Sequence, residues 1–207
     1  MTQPVLLRIL GRAASINVRK LLWTCVELEL PYVREDVDTS SPELRALNPN
    51  GLVLVLIDSD FVLWESNSIC RYLAARQRRE DLLPLEARAR ARVEQWMDWQ
   101  AGELNNSWRY AFMGLVRGSA LHQDAGLQAE SVANWNRHMA MLEAQLARGG
   151  PFVLGASFTL ADVVLGLSVQ RWMTTTMHKP ALPAVHGYYE RLSERPGFIL
   201  HGRNGLP

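Results

Sequence analysis

Two polar residues at the predicted start of the first helix offer a place where this sequence could activate a thiol. Ser15 and Asn17 follow the loop that begins at Gly11, where an apolar helical pattern starts. Unpaired N–H groups at a helix N-terminus favour an anion, and a thiolate is such an anion. A hydroxyl donor there lowers the pKa of a bound thiol, which is about 8.5 for free cysteine. Since both residue types are also preferred helix caps, capping is the simpler interpretation of the local pattern.

A second polar pair, Glu65 and Ser66, stands between a predicted strand and a predicted helix. The pair offers a carboxylate, a hydroxyl and helical N–H groups to an amino-acid head group that carries both charges. The same two residues would also serve as the cap of the following helix. The pair by itself therefore does not separate binding from capping.

Short elements position these residues in the first part of the chain. Apolar runs and alternating patterns predict strands, and apolar residues at helical spacing predict a helix between the first two of them. A dense turn signal at Asn48–Gly51 precedes a hairpin. The predicted elements are a strand over Val5–Leu10, a helix over Asn17–Glu29, strands over Tyr32–Asp36, Leu52–Ile57 and Phe61–Trp64, and a helix that begins near Ser66.

The rest of the chain has helical patterns, after a charged linker over Gln77–Glu86 that contains Pro84. The sequence therefore predicts an α/β domain over residues 1–80 and an all-α domain over residues 87–207. The predicted helices of the second domain are Ala87–Arg117, Val132–Arg148, Leu160–Met177 and Pro183–Arg195.

Composition argues against several classes of function. The 22 basic and 21 acidic residues give a net charge of +1, so no strong field attracts nucleic acid or an anionic membrane. Cys25 and Cys70 form no C-x-x-C pair, which fits a reducing, cytoplasmic location. No membrane span, signal peptide or metal-ligand spacing of histidines is present in the sequence.

Three segments in this order and spacing are similar to bacterial theta-like glutathione transferases. They are Ser15–Lys20, Asn48–Gly51 and Phe61–Leu73, and a capping-box pattern over Phe158–Asp162 also matches the second domain of that family. The resemblance covers nearly the whole chain. It implies a thioredoxin-like N-terminal domain with a C-terminal helical bundle, known as the GST fold. It also implies a homodimer that conjugates glutathione, its co-substrate, to a small hydrophobic electrophile.

The resemblance further implies a role for individual residues. Ser15 would bond the glutathione sulfur, with Asn17 assisting or replacing it. Glu65 and Ser66 would hold the γ-glutamyl group, and the loop at Val53 and Leu54 would pair with the cysteinyl unit. The residues expected to line the cleft for the electrophile are Trp108, Arg109, Phe112 and Trp172, although aromatic residues in helices are more often part of the core.

Two departures from the family pattern keep alternatives open. Leu54 stands where the family has a cis proline, and a cis peptide bond before another residue costs about 2.5–4 kcal/mol. The sequence therefore favours a trans bond, which would turn the backbone of Val53 away from glutathione. Leu52 stands where relatives often carry a lysine. A non-catalytic interaction protein with this fold is one alternative, and a glutathione-dependent disulfide reductase that uses Asn17 is another.

Overall fold

The computed structural model describes residues 6–205, and within them it confirms an α/β part followed by helices. Every predicted element of the first part is present, although Val5 of the first predicted strand lies outside the described residues. The elements are β1 (Leu7–Leu10), α1 (Ile16–Glu27), β2 (Tyr32–Glu35), α2 (Pro42–Leu47), β3 (Val55–Asp58), β4 (Phe61–Trp64) and α3 (Ser66–Arg76).

The four strands form one mixed sheet in the order β2-β1-β3-β4. β1 runs parallel to β2, with Leu7 opposite Tyr32, and antiparallel to β3, with Ile9 opposite Leu56. The parallel pair is joined through α1, as a strand–helix–strand unit requires. Because the chain leaves β1 directly before α1 and leaves β4 directly before α3, the sheet sets the starting points of both helices.

The second part consists of six further helices in the described residues. They are α4 (Ala87–Trp99), α5 (Asn105–Leu115), α6 (Ala125–Leu146), α7 (Leu160–Thr174), α8 (Pro183–Leu192) and α9 (Pro196–His201). Sequence periodicity did not predict α9. Within residues 6–205, no helix combines the length and the apolar character that crossing a membrane demands.

The single long helix predicted over Ala87–Arg117 is wrong at its middle. A π-helical turn over Gln100–Leu104 separates α4 from α5. The side chain of Gln100 is fully buried there and donates to Asn105 and Ser168, each at 2.9 Å. Wide turns of this kind are frequent at functional sites, and a period-based prediction does not detect them because the helical spacing shifts by only one residue.

One continuous core joins the two parts around α1. Trp23 is fully buried, and its ring packs 5.8 Å from Phe158 and 5.0 Å from Phe198, measured between ring centroids. Glu27 at the end of α1 pairs with Arg195, with an Nη2–Oε2 distance of 2.5 Å. Contacts of this number and burial fix the position of α1 relative to the helical part.

The predicted capping box begins α7. The Asp162 carboxylate accepts from the Thr159 backbone N–H at 2.8 Å and from the Thr159 hydroxyl at 3.1 Å. It also accepts from the backbone N–H of Val153 and the hydroxyl of Tyr188, each at 3.0 Å. These bonds satisfy a buried carboxylate within the core, so the motif supports the fold and takes no part in the site.

Candidate functional site

A small hollow lies where the start of α1, the turn before β3 and the start of α3 meet. We call it the peptide hollow, and its volume is about 70 Å³. A water molecule occupies about 30 Å³ of liquid, so the hollow encloses a head group while a larger ligand would extend over the surface. Its lining residues are Asn17, Asn48, Asn50, Leu52, Val53, Leu54, Glu65 and Ser66.

Asn17 and Ser66 join the two helix starts directly. The Ser66 hydroxyl donates to the Asn17 side-chain oxygen at 3.3 Å, although 49 residues separate the two positions. Ser66 is 8% exposed and Asn17 is half-buried. Because the Asn17 oxygen is occupied, its amide N–H groups are the part of the side chain left to bind a ligand.

Ser15 occupies the N-cap position of α1 but does not cap it. Its backbone is extended, as in a cap, yet its side chain makes no capping hydrogen bond to the helix. The half-buried hydroxyl therefore remains able to donate to a bound group. Ser15 is not among the residues that line the peptide hollow, so the structure brings Asn17, rather than Ser15, to Glu65 and Ser66.

The turn at Asn48–Gly51 is braced by Asn48. The buried Asn48 amide donates to the Leu52 carbonyl at 2.7 Å, and its oxygen accepts from the Asn50 backbone N–H at 3.0 Å. Gly51 adopts a φ of 62°, which glycine reaches without steric cost. The turn thereby places the following loop at the edge of the hollow.

The loop after this turn places Val53 and Leu54 in the lining. The peptide bond between them is cis, so the trans bond expected from the sequence is not found. Leu54 is 4% exposed and belongs to the hydrophobic core, whereas Leu52 is 61% exposed. The leucine that replaces the family's proline is therefore accommodated by core packing.

Glu65 has an unusual backbone at the N-cap of α3. Its φ of 74° and ψ of 110° lie outside the regions that non-glycine residues prefer. Such a conformation costs of the order of 1–3 kcal/mol and persists where the surrounding structure enforces it, most often at binding sites. The side chain is exposed at the rim of the hollow, in keeping with a binding role rather than a packing role.

Models of two glutathione S-transferase domains match the chain. The N-terminal domain model matches residues 14–76 and the C-terminal domain model matches residues 125–191. Glutathione S-transferase GstB of Escherichia coli (strain K12) is 37% identical over 193 residues, which cover 90% of this chain and 92% of the relative. The chain belongs to the glutathione S-transferase family.

A relative and a solved structure extend this result. Glutathione S-transferase 3 of Zea mays is 32% identical over 207 residues, covering 93% of this chain and 91% of the relative. The crystal structure of a theta class glutathione S-transferase from Xanthomonas axonopodis pv. citri, with glutathione bound, aligns with a TM-score of 0.91. It is 34% identical and covers 99% of this chain and 100% of that chain. The GST fold is therefore confirmed, with its thioredoxin-like N-terminal domain.

A buried lysine bonds to the residue that follows Ser66 of the peptide hollow. Lys20 is 1% exposed, and its ammonium group donates to Gln100 at 2.7 Å and to Asn67 at 3.3 Å. Asn67, which follows Ser66, also donates to the Met97 carbonyl at 2.8 Å. Burial, opposed in part by the nearby Cys70 and, to a smaller extent, by the charge of Glu65, lowers the pKa of Lys20 from 10.5 to about 8. Sequence reasoning missed Lys20 because lysines are expected on the surface.

The residues predicted to contact the electrophile do not form one group. Trp108 and Phe112 lie together on α5, with ring centroids 5.4 Å apart, and are 8% and 3% exposed. Arg109 is exposed on the same helix. Trp172 is fully buried and donates from its indole N–H to Asn136 on α6 at 2.9 Å. The structure thus joins Trp108 to Phe112 and places Arg109 and Trp172 among other neighbours.

A larger cavity of about 790 Å³ lies elsewhere, between the linker, α4, α6 and the segment before α7. It is lined by residues such as Pro84, Trp96, Trp99 and Met141, and none of the predicted site residues contributes to it. Cavity volume alone would therefore have indicated a different candidate site.

Metal and dithiol chemistry have no site in the part of the chain that the structure describes. Residues 6–205 contain no group of three or more histidine, cysteine or acidic side chains arranged to hold a metal ion. Cys25 and Cys70 are free and buried, and burial raises the pKa of each thiol.

Proposed function

We propose that this glutathione transferase binds its co-substrate glutathione in the peptide hollow and joins the glutathione sulfur to a small electrophile. The observation that carries the proposal is the 3.3 Å contact between Asn17 and Ser66, which brings the starts of two helices to one point. Two helix N-termini give unpaired N–H groups and positive dipole ends for an anionic peptide. Glu65 supplies the negative charge for the ammonium group of the γ-glutamyl unit.

The cysteinyl part of the peptide would lie along the loop at Val53 and Leu54. Both residues line the hollow, and the backbone of Val53 is the expected partner for a peptide that adds to an exposed edge. The sulfur would then face the start of α1. The Ser15 hydroxyl and the Asn17 amide are the two donors at that point, and either one stabilises a thiolate more than a thiol.

Catalysis follows from the charge and the position of the sulfur. Lowering the thiol pKa raises the fraction of thiolate at neutral pH, and holding the electrophile next to it removes the entropy cost of their encounter. The thiolate forms a bond to the electrophilic carbon, and the leaving group departs with its electron pair. Trp108 and Phe112 are the proposed contacts of the electrophile, while Arg109 and Trp172 stay predictions.

A calorimetric titration with glutathione tests the proposal, together with turnover of chlorodinitrobenzene. We expect binding heat and turnover in the wild type at millimolar glutathione. An Asn17→Ala, Ser66→Ala double variant should lose most of the binding heat, because both polar groups of the contact are gone. Absence of heat and of turnover in the wild type would contradict the proposal and favour the non-catalytic alternative.

A disulfide reductase is the second candidate, and the position of Asn17 in the lining favours it. In that reaction the bound glutathione thiolate attacks a disulfide, and a second glutathione releases the product, so the two peptides supply both electrons. Ser15→Ala and Asn17→Ala variants assayed for both activities separate the candidates. Dominance of Asn17 in the reductase assay, with little transferase activity, would select the reductase.

We also propose a homodimer, a cytoplasmic location and a division of the chain into domains at residues 1–80 and 87–207. The family membership supports the dimer, the two free cysteines support a reducing compartment, and the domain models that match residues 14–76 and 125–191 support the division. Sedimentation at micromolar concentration tests the dimer, since a single species of monomer mass would contradict it.

A further inference from the structure

Two arginines lie over one aromatic ring, Phe112, and the charge of a third, on α1, acts on both of them; we call the three the arginine cluster. They are Arg19 on α1, Arg117 after α5, and Arg171 on α7. Arg19 is 0% exposed and Arg171 is 3% exposed, whereas Arg117 is exposed. Burial, together with the smaller effects of the Arg19 and Arg117 charges, lowers the pKa of Arg171 to about 9. The electrostatic neighbours that shift this pKa are thus cations.

Arg171 is held by aromatic rings instead of by a carboxylate. Its guanidinium carbon lies 4.0 Å from the ring centroid of Phe112 and 4.5 Å from that of Trp108. Within residues 6–205, no carboxylate forms an ion pair with it, and its buried Nε has no hydrogen-bond partner. Ring faces offset only part of the cost of burying a charge, so the guanidinium retains unused capacity for an anion.

Arg19 connects the cluster to α1, the helix whose start carries the proposed sulfur site. Arg19 follows Ser15 by four residues, so the two lie on one face of α1, one turn apart. The Arg19 guanidinium donates to the side-chain oxygen of Asn204 at 3.4 Å, so the segment after α9 also contacts the cluster. Arg117 lies over the same Phe112 ring, at 5.4 Å, and extends the cluster to the protein surface.

We propose that the arginine cluster binds a carboxylate on the second substrate, so that this transferase prefers electrophiles that carry a negative charge. The proposal rests on the proposed function and deepens it by naming the substrate class. A guanidinium matches a carboxylate with two parallel hydrogen bonds, and Trp108 and Phe112 would contact an aromatic or flat body attached to it. The thiolate forms the new S–C bond, chloride or another leaving group departs with the bonding electrons, and the arginines keep their protons.

A matched pair of electrophiles tests the proposal with the full-length protein. Chlorodinitrobenzoate and chlorodinitrobenzamide, each with its chlorine para to the carboxyl or amide group, share a ring and leaving group and differ in charge. The readout is the ratio of kcat/KM for the benzoate to kcat/KM for the benzamide, each divided by its uncatalysed rate. We expect a ratio of about 10 or more in the wild type, since charge-assisted hydrogen bonds discriminate by roughly 10- to 100-fold.

Variants assign the preference to the cluster. Arg171→Met should lower the ratio about tenfold, and Arg117→Met, a change at an exposed position, should lower it about threefold. Arg137→Met removes an exposed arginine on α6 and should leave the ratio unchanged. Two measurements keep the test valid if Arg171→Met does not fold. One is the ratio for the Arg117 variant. The other is inhibition of benzamide turnover by plain benzoate, which should compete with the benzamide and not with glutathione.

The outcomes separate this inference from the proposed function. Turnover of the benzamide with a ratio near one, or a ratio that Arg171→Met and Arg117→Met leave unchanged, would overturn the inference while the transferase activity stands. If the arginines instead stabilised the thiolate or held glutathione, both electrophiles would slow equally, and that result would also overturn it. Absence of turnover with both compounds, together with absence of glutathione binding, would overturn the proposed function as well.

Discussion

The peptide hollow and the arginine cluster each include residues of the first turns of α1, and they differ in the chemical groups that form them. The hollow is lined by asparagine amides, a loop backbone and an exposed carboxylate. The cluster has two arginines almost excluded from solvent and two aromatic rings. A polar peptide with many hydrogen-bonding groups suits the first, and a single charge on a flat body suits the second.

This difference shows how one helix serves two substrates. The start of α1 supplies N–H groups and a positive dipole end to the hollow, and its next turn sends Arg19 and Lys20 into the protein. Groups at an open site remain partly hydrated, so a contact there adds less than the same contact would add in the interior. Desolvated cations gain more from an anion because the interior screens charge poorly. Affinity for the peptide is therefore spread over many groups, while preference among electrophiles depends on few.

The largest expected effect is on the pH dependence of stability and comes from Lys20, a buried cation next to Arg19 on α1. Its pKa is about 8 in the folded protein and 10.5 in the unfolded chain, so between these values the unfolded chain binds more protons. Stability therefore rises with pH across this window. We expect the unfolding free energy of the wild type, minus that of Lys20→Met, to increase by about 3 kcal/mol between pH 8 and 10.5.

Urea unfolding at the two pH values measures this change. Lys179 provides a matched control because burial also lowers its pKa but leaves its side chain half-buried. Lys179→Met should give a smaller difference of the same sign. If the unfolding free energies of the wild type and Lys20→Met changed in parallel with pH, Lys20 would not be desolvated. The contrast between buried cations and the hydrated peptide hollow would then fail.

Among the residues that line the peptide hollow, we expect Glu65 to contribute most to the affinity for glutathione. Replacing it by alanine removes the carboxylate for the ammonium group of the peptide, and a charge-assisted hydrogen bond contributes about 1.5–3 kcal/mol. We expect Glu65→Ala to bind glutathione about 10- to 100-fold more weakly in a calorimetric titration. Glu130→Ala, a change at an exposed position on α6, should bind normally. Equal affinities in the two variants would remove Glu65 from the site.

A smaller effect is expected for Ser66→Ala. This change removes one neutral donor and its 3.3 Å bond to Asn17, which contributes about 1 kcal/mol. The KM for glutathione should rise about fivefold, and the benzoate-to-benzamide ratio should stay constant because the arginine cluster is untouched. A changed ratio would mean that the peptide hollow and the arginine cluster are coupled, contrary to the comparison drawn here.

The parts of this molecule that depend on local sequence were predictable. Strand and helix patterns placed α1 and α3, and the residues at their starts, Asn17, Glu65 and Ser66, indeed lie in one hollow. The capping box at Thr159 and Asp162 was likewise visible because its partners are three residues apart. In each case the residues stand at the start of a helix, and the local sequence pattern marks that start.

The parts that depend on tertiary contacts were not predictable. Arg19 and Lys20 appeared as ordinary polar positions of α1, and both are buried by residues distant in the chain. Lys20 bonds Gln100 in the π-helical turn, and Arg19 bonds Asn204 after α9. Leu54 stands where the family has proline, and its burial in the core depends on tertiary contacts that a local pattern does not show. Trp172 stays a prediction for the cleft, and its bond to Asn136 on α6 is another contact that a local pattern does not show.

The ultraviolet absorbance of bound glutathione tests the central claim most directly, because a thiolate absorbs where a thiol does not. Titrating the wild-type complex with base gives the pKa of the bound sulfur, and Ser15→Ala and Asn17→Ala identify the donor. We predict thiolate at neutral pH, with a pKa at least about two units below the value near 8.5 of a free cysteine thiol, and a rise toward that value in one of the variants. A bound thiol that titrates like the free one in the wild type would contradict the account.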